Sequence, residues 1–200
     1  LGVLLRFFQC GNHFFLEYAY LNFGEIEIAH HYHSIGLIKL GEYRSMPTIA
    51  LIRDPFDQLL SAKTYHPEIS VNILLDELLW YYEELEQLSR IIISDFDRTT
   101  KDPESVLFEL QKKFKNSFAK YNIKSFDDDF VFKSIEKRKS DMVTIQNKKP
   151  IPSKEKDALK KKYEMEISNI LGKEIGTQLK QSYLRLKKIS DSEWKKNKNK

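Results

Sequence analysis

Residues 48–62, TIALIRDPFDQLLSA, run from an apolar stretch into Arg53-Asp54-Pro55 and then into a segment with helical spacing. Thr48–Ile52 is short and rich in β-branched residues, the pattern of a buried strand. Pro55 suits the first turn of a helix, where a missing N–H is no loss, and Asp54 suits the cap before it. Arg53 should then emerge at the carboxyl end of a strand, with Ser61 two turns along the helix. An arginine fork and a hydroxyl so placed can hold a phosphate together. A purely structural Arg-Asp capping pair is the alternative.

The same strand-to-helix pattern recurs on either side. Further β-like runs lie at Gly2–Phe8, around Ile26–Ala29 and at Ile91–Ser94, and helical spacing marks His13–Phe23 (closed by Gly24), Pro55–Lys63, Val71–Leu88 and Pro103–Lys120, the last behind Asp102 as cap. Strands alternating with helices predict an α/β fold of three layers, a central, mostly parallel sheet with helices on both faces. The chain reads as one domain over 1–200, with a core over about 1–125. A basic loop and lysine-rich helix follow over about 126–200, the helix running from Ser153 to about Ile189 with a frayed end beyond. There is no internal repeat.

Composition narrows the function classes. Hydrophobic residues make up 41% of 200 residues, enough for one substantial core. No apolar run is long enough for a membrane span, and LGVLLRFF lacks a basic leader and cleavage site, so it reads as a first strand. Cys10 is the single cysteine, which fits a reducing, cytoplasmic setting. The net charge of +4 is unevenly spread: residues 1–132 carry 13 Lys+Arg against 20 Asp+Glu, and residues 133–200 carry 20 against 9. The positive tail could steer an anion or form a solvated helical surface. A nucleic-acid partner is not expected.

Ligands of open parallel sheets bind at the carboxyl ends of the strands. The first strand ends in FFQCGNHFF, where Gly11 before a helix allows backbone N–H groups to cradle a phosphate, or is simply a structural turn. The GxxxxGK[ST] loop is absent. The second ends in IEIAHHYHS; alternation sets His31 and His33 on one side and His30 on the other, and imidazole is a natural general base near neutral pH. Strand-end histidines in a core and a shared metal ion are the other readings, though no carboxylate or thiolate pattern accompanies them.

Taken together these motifs resemble the sulfotransferase family, which uses 3′-phosphoadenosine 5′-phosphosulfate (PAPS) on a fold of the P-loop NTPase kind. The family's arginine, proline and serine signature is similar to Arg53, Pro55 and Ser61, with the common acidic residue at Asp57. Its first signature loop resembles Phe8 to Phe15, agreeing at Gly11, Asn12 and His13, with aromatic Phe14 and departures at Gln9 and Cys10. His31 fills the place of the family's basic histidine, and Arg138-Lys139 loosely resembles its late phosphate clamp without the following Gly. The resemblance covers about residues 2–120 closely and the remainder loosely.

The resemblance implies that Gln9, Cys10, Gly11, Asn12, His13 and Phe14 wrap the 5′-phosphosulfate. Arg53 and Ser61 would hold the 3′-phosphate, aided by Arg138 and Lys139. His31 would take the acceptor's proton, and adenosine 3′,5′-bisphosphate would be the product, with no metal required. The acceptor would be a small molecule or carbohydrate, an acidic one suiting the positive tail. Gln9 stands where the family carries a cation over the leaving group, so a nucleotide-binding or interaction module without turnover is the alternative. A second alternative comes from IIISDFDRTT, whose Asp95 and Asp97 match the Asp-x-Asp-x-Thr pattern of Mg²⁺-dependent haloacid-dehalogenase-like phosphatases.

Overall fold

The computed structural model describes residues 2–7, 13–24, 27–29, 35–118, 120–141 and 154–198. Four strands, β1 (Gly2–Phe7), β2 (Glu27–Ala29), β3 (Thr48–Ile52) and β4 (Ile92–Asp95), form one sheet in the order β2-β1-β3-β4. Every pairing is parallel, with Leu4 opposite Thr48 and Ile49 opposite Ile92. The helices are α1 (His13–Phe23), α2 (Ile35–Tyr43), α3 (Pro55–Tyr65), α4 (Val71–Glu86), α5 (Phe96–Lys101), α6 (Pro103–Lys113), α7 (Lys115–Phe118), α8 (Asp128–Asp141), α9 (Lys154–Leu171) and α10 (Glu174–Lys198).

All five residues of β3 are buried. That is why its sequence is continuously apolar rather than alternating: a strand with neighbours on each side and helices above and below meets water on neither face. Ile49 and Leu51 join a cluster with Phe15 and Tyr18 of α1, Leu107 and Leu110 of α6 and Val131 of α8. Ala50 and Ile52 join a second cluster with Ile38 of α2, Leu59 of α3, Leu78 of α4, Ile167 of α9 and Leu186 of α10. The period of two along one strand therefore feeds two cores.

The chain steps from β1 outward to β2, returns past β1 to β3, and continues to β4. Helix α1 belongs to one core and α2 and α3 to the other, as right-handed crossovers require when the direction of travel reverses. The helices that follow β1 and β3, α1 and α3, therefore lie on opposite faces of the sheet.

Local chemistry sets the element ends. Asp54 accepts the N–H of Phe56 at 2.9 Å at the start of α3, and Asp102 accepts the N–H of Ser105 at 3.3 Å at the start of α6, each followed by proline. Gly24, with φ +66°, closes α1 through its N–H to the Tyr20 carbonyl. Residues 35–43 and 96–101 form helices that no sequence signal marked. Three expectations are corrected: the helical segment read over Pro103–Lys120 is divided into α6 and α7, the loop expected after residue 126 is helix from Asp128 to Asp141, and the lysine-rich tail is two helices that turn a corner at Gly172. The end that composition suggested would fray is helix to Lys198, and Trp194 donates to Asp102 at 2.6 Å.

Candidate functional site

Arg53 follows the last residue of β3 at the carboxyl edge of the sheet, and its main chain is held by one side chain. The Tyr82 hydroxyl, on buried α4, accepts the Arg53 N–H at 3.1 Å and donates to the Arg53 carbonyl at 2.6 Å. Both backbone groups beyond the last ladder bond are thereby satisfied. The Arg53 guanidinium lies over the Phe96 ring, 4.3 Å from its centroid, and one terminal nitrogen stands 3.5 Å from Asp57 Oδ2. Its Nε is buried and has no hydrogen-bond partner among the described residues. Asp57 is 52% exposed, so this ion pair is a weak hold, about 0–1 kcal/mol. Ser61 follows Asp57 by one helical turn and is half-buried on the same side of α3. The spacing that opened the sequence reading thus puts Arg53, Asp57 and Ser61 in a row running back from the carboxyl edge.

The end of β4 is built differently. Asp95 is buried and caps α5 by accepting the Asp97 N–H at 3.0 Å, while its own N–H donates to Ser190 Oγ at 2.9 Å. Its other carboxylate oxygen accepts the Tyr183 hydroxyl at 2.9 Å, and Lys187 Nζ approaches Oδ1 at 3.2 Å. Burial, then the Asp95 charge, pushes the Tyr183 phenol far above its ordinary range, keeping it a donor. Burial opposes the Lys187 charge, but Asp95 outweighs it and holds the ammonium above its usual value. Tyr183 stacks on Tyr82 with ring centroids 6.3 Å apart, so α10 and the Arg53 clamp share one aromatic wall.

Directly below, Arg98 is fully buried. Its Nε donates to Ser105 Oγ at 3.0 Å, one terminal nitrogen donates to the Ser105 carbonyl at 3.1 Å, and that nitrogen meets Glu109 Oε2 at 2.7 Å off the hydrogen-bond axis. Thr99 returns a hydrogen bond to the Asp95 carbonyl at 2.8 Å. The Asp-x-Asp-x-Thr stretch is therefore a knot tying β4, α5, α6 and α10. Asp95 is only 4% exposed, with both oxygens engaged, and Asp97 is turned outward to Lys101. A nucleophilic carboxylate needs an open line to phosphorus, and Asp95 has none.

Of the residues singled out from sequence, Arg53 and Ser61 are brought to one side of α3. Phe14 is buried in the core with Tyr18 and Phe132 rather than presented at the edge. His13 opens α1, and Arg138 and Lys139 lie near the end of α8. Gln9, Cys10, Gly11, Asn12 and His31 lie outside the described residues. Among the described residues no group of three or more His, Cys, Asp or Glu could share a metal ion, and no helix is long and apolar enough to cross a membrane. Sequence reasoning missed Tyr82, Phe96, Tyr183 and Lys187. The available signal was the α10 row Leu179, Tyr183, Leu186 and Ser190, which sets two polar side chains at core positions. No protein-family model matches the chain, and no curated protein matches it.

Proposed function

We propose that the chain is a sulfotransferase-like protein, a three-layer fold of the P-loop kind. It would take PAPS at the carboxyl edge of β1 and β3 and pass the sulfuryl group to a hydroxyl or amine. The observation that carries this reading is Arg53: it stands at the carboxyl end of β3 on a main chain fixed by Tyr82, its ring-stacked guanidinium having a buried Nε with no partner among the described residues. A 3′-phosphate would engage that Nε and a terminal nitrogen together, displacing the weak Asp57 contact, and Ser61 would add a donor. The loop after β1, Gln9 to Asn12, with His13 at the start of α1, would face the 5′-phosphosulfate.

In the reaction the acceptor oxygen or nitrogen attacks sulfur in line, and the sulfur–oxygen bond to the bridging phosphate oxygen breaks. His31 takes the acceptor's proton, and adenosine 3′,5′-bisphosphate leaves. Positioning and charge stabilisation supply most of the acceleration in such transfers. Gln9 can donate a hydrogen bond to the bridging oxygen but brings no charge. Loss of a donor to developing charge lowers rates by about 10²–10³ in other enzymes, so slow turnover is expected here.

A second reading keeps the nucleotide and drops the chemistry. It is favoured by Gln9 and by the carboxylates of Asp54 and Asp57 beside Arg53, which oppose a further anionic centre. Incubating the chain with PAPS and a panel of sugar, phenol and amine acceptors separates the two. Sulfated product that disappears in His31→Ala, with adenosine 3′,5′-bisphosphate still bound by that variant, supports the transferase. Binding of that product without turnover on any acceptor supports the module.

A further inference from the structure

At the amino edge of the sheet, the opposite end from Arg53, the chain entering β4 is held by two long side chains. Glu42 Oε1 accepts the N–H groups of Ser89 and Arg90, each at 2.7 Å. Lys113, the last residue of α6, donates from Nζ to the carbonyls of Ser89 at 3.2 Å and Ile91 at 2.7 Å. Beside this strut lies an open cleft of about 330 Å³ lined by Ser45, Lys112, Lys113, Phe114, Lys115 and Ser117. Its volume is at the lower end of the range of small-molecule sites, and it is open to solvent.

The lining is cationic and only partly neutralised. Burial lowers the Lys113 pKa, with the Glu109, Glu193 and Glu42 charges acting against it, and two of its three donors are fixed on carbonyls. Lys112 and Lys115 are exposed, and among the described residues neither has an ion pair. Ser45 adds an independent feature. It closes α2 with φ +53°, in the left-handed region where glycine is favoured, its N–H on the Glu42 carbonyl and the Met46 N–H on that of Gly41. Serine at this position is strained relative to glycine, and what it adds is a hydroxyl on the cleft wall.

We propose that this cleft binds a small molecule bearing a di- or triphosphate, its oxygens distributed over Lys112, Lys113 and Lys115 and the hydroxyls of Ser45 and Ser117. Ammonium groups are compact point charges, each able to take an oxygen of a multivalent phosphate. Phe114 offers an apolar wall for the remainder of the molecule. The site lies at the opposite edge of the sheet from Arg53 and does not depend on the sulfotransferase reading.

The test is calorimetric titration of the full chain with inorganic pyrophosphate at low salt, beside Lys112→Ala/Lys115→Ala, Arg53→Ala and Ser45→Gly. The wild type should bind one equivalent. The double variant, which removes only exposed, unpaired side chains and should keep its circular dichroism, should bind at least tenfold more weakly, and Arg53→Ala should match wild type. Ser45→Gly should melt higher, by relief of the left-handed backbone, yet bind several-fold more weakly. Absence of saturable binding to the wild type, or equal affinity in the double variant, overturns the proposal. So does loss of binding in Arg53→Ala alone, which would put the anion at the other edge.

Discussion

Tyr82 satisfies both main-chain groups of Arg53 with a single hydroxyl, so the position of the guanidinium rests on a residue 29 positions away in sequence. Tyr82→Phe removes two buried hydrogen bonds and adds nothing. We expect a loss of about 1–3 kcal/mol, read from the denaturant midpoint at unchanged m. Tyr183 is the companion case, and it carries a pH signature. Its folded-state pKa lies above the ordinary 10.0, so the folded chain holds a proton that the unfolded chain releases. Its contribution is fully present below pH 10 and is lost as pH climbs from there toward the folded value, at a slope of up to about 1.4 kcal/mol per pH unit. Tyr183→Phe should destabilise by about 1–3 kcal/mol at neutral pH, since Asp95 loses a donor, and should flatten the alkaline fall measured by denaturant titration between pH 9 and 11. A slope unchanged in the variant contradicts the assignment. Arg53 was legible from sequence because strand, cap and proline are neighbours of it. Tyr183 was not, because its partner Asp95 is 88 residues away and only the fold joins them.

Among the elements, those with local punctuation were readable and those without it were not. Asp54-Pro55, Asp102-Pro103 and Gly24 mark ends of α3, α6 and α1 by chemistry that acts within a turn. Helix α2 contains Gly36 and Gly41, poor helix formers, and has no acidic first turn or basic last turn, yet it buries Ile35 and Ile38 against β3. Tertiary burial overrides propensity there. Helix α5 has six residues, too few for a period to register. The corner between α9 and α10 depends on a close approach that composition cannot reveal: a Cβ on Gly176 would stand 2.4 Å from the Leu171 backbone, whereas one on Gly172 would meet only ordinary contacts at 3.5 Å or more. Gly176→Ala should therefore lower stability by about 1–3 kcal/mol as the helices are forced apart, and Gly172→Ala should change it little, both read by thermal melting. Equal effects of the two substitutions would remove the corner from the account.

For the whole molecule, the charge division seen in the sequence is a division between packed parts. Arg185 pairs with Glu86 at 2.9 Å and Lys187 with Asp95 at 3.2 Å, so the basic final helix lies against acidic α4 and the end of β4. The tail is also core: Tyr163, Ile167, Leu171, Leu179, Tyr183 and Leu186 are buried in the cluster that contains Ile52 and Leu78. At about 1.5–3 kcal/mol for each buried large side chain, their removal would cost as much as the whole stability of a domain, usually about 5–15 kcal/mol. A chain ended after residue 153 should lose its cooperative unfolding transition by calorimetry. The α/β class and the parallel sheet followed from the alternation of apolar strands and helical segments. The reversal at β1 and β3 did not, because strand order depends on pairings that no local pattern encodes. That reversal sets Arg53 at the carboxyl edge where the strand order turns, and the central claim is that a nucleotide phosphate binds there. The most direct test is calorimetric titration of the full chain with adenosine 3′,5′-bisphosphate, wild type beside Arg53→Ala. The account predicts saturable one-site binding that falls at least tenfold in the variant; a folded wild-type chain that does not bind, or a variant that binds as well as wild type, would contradict it.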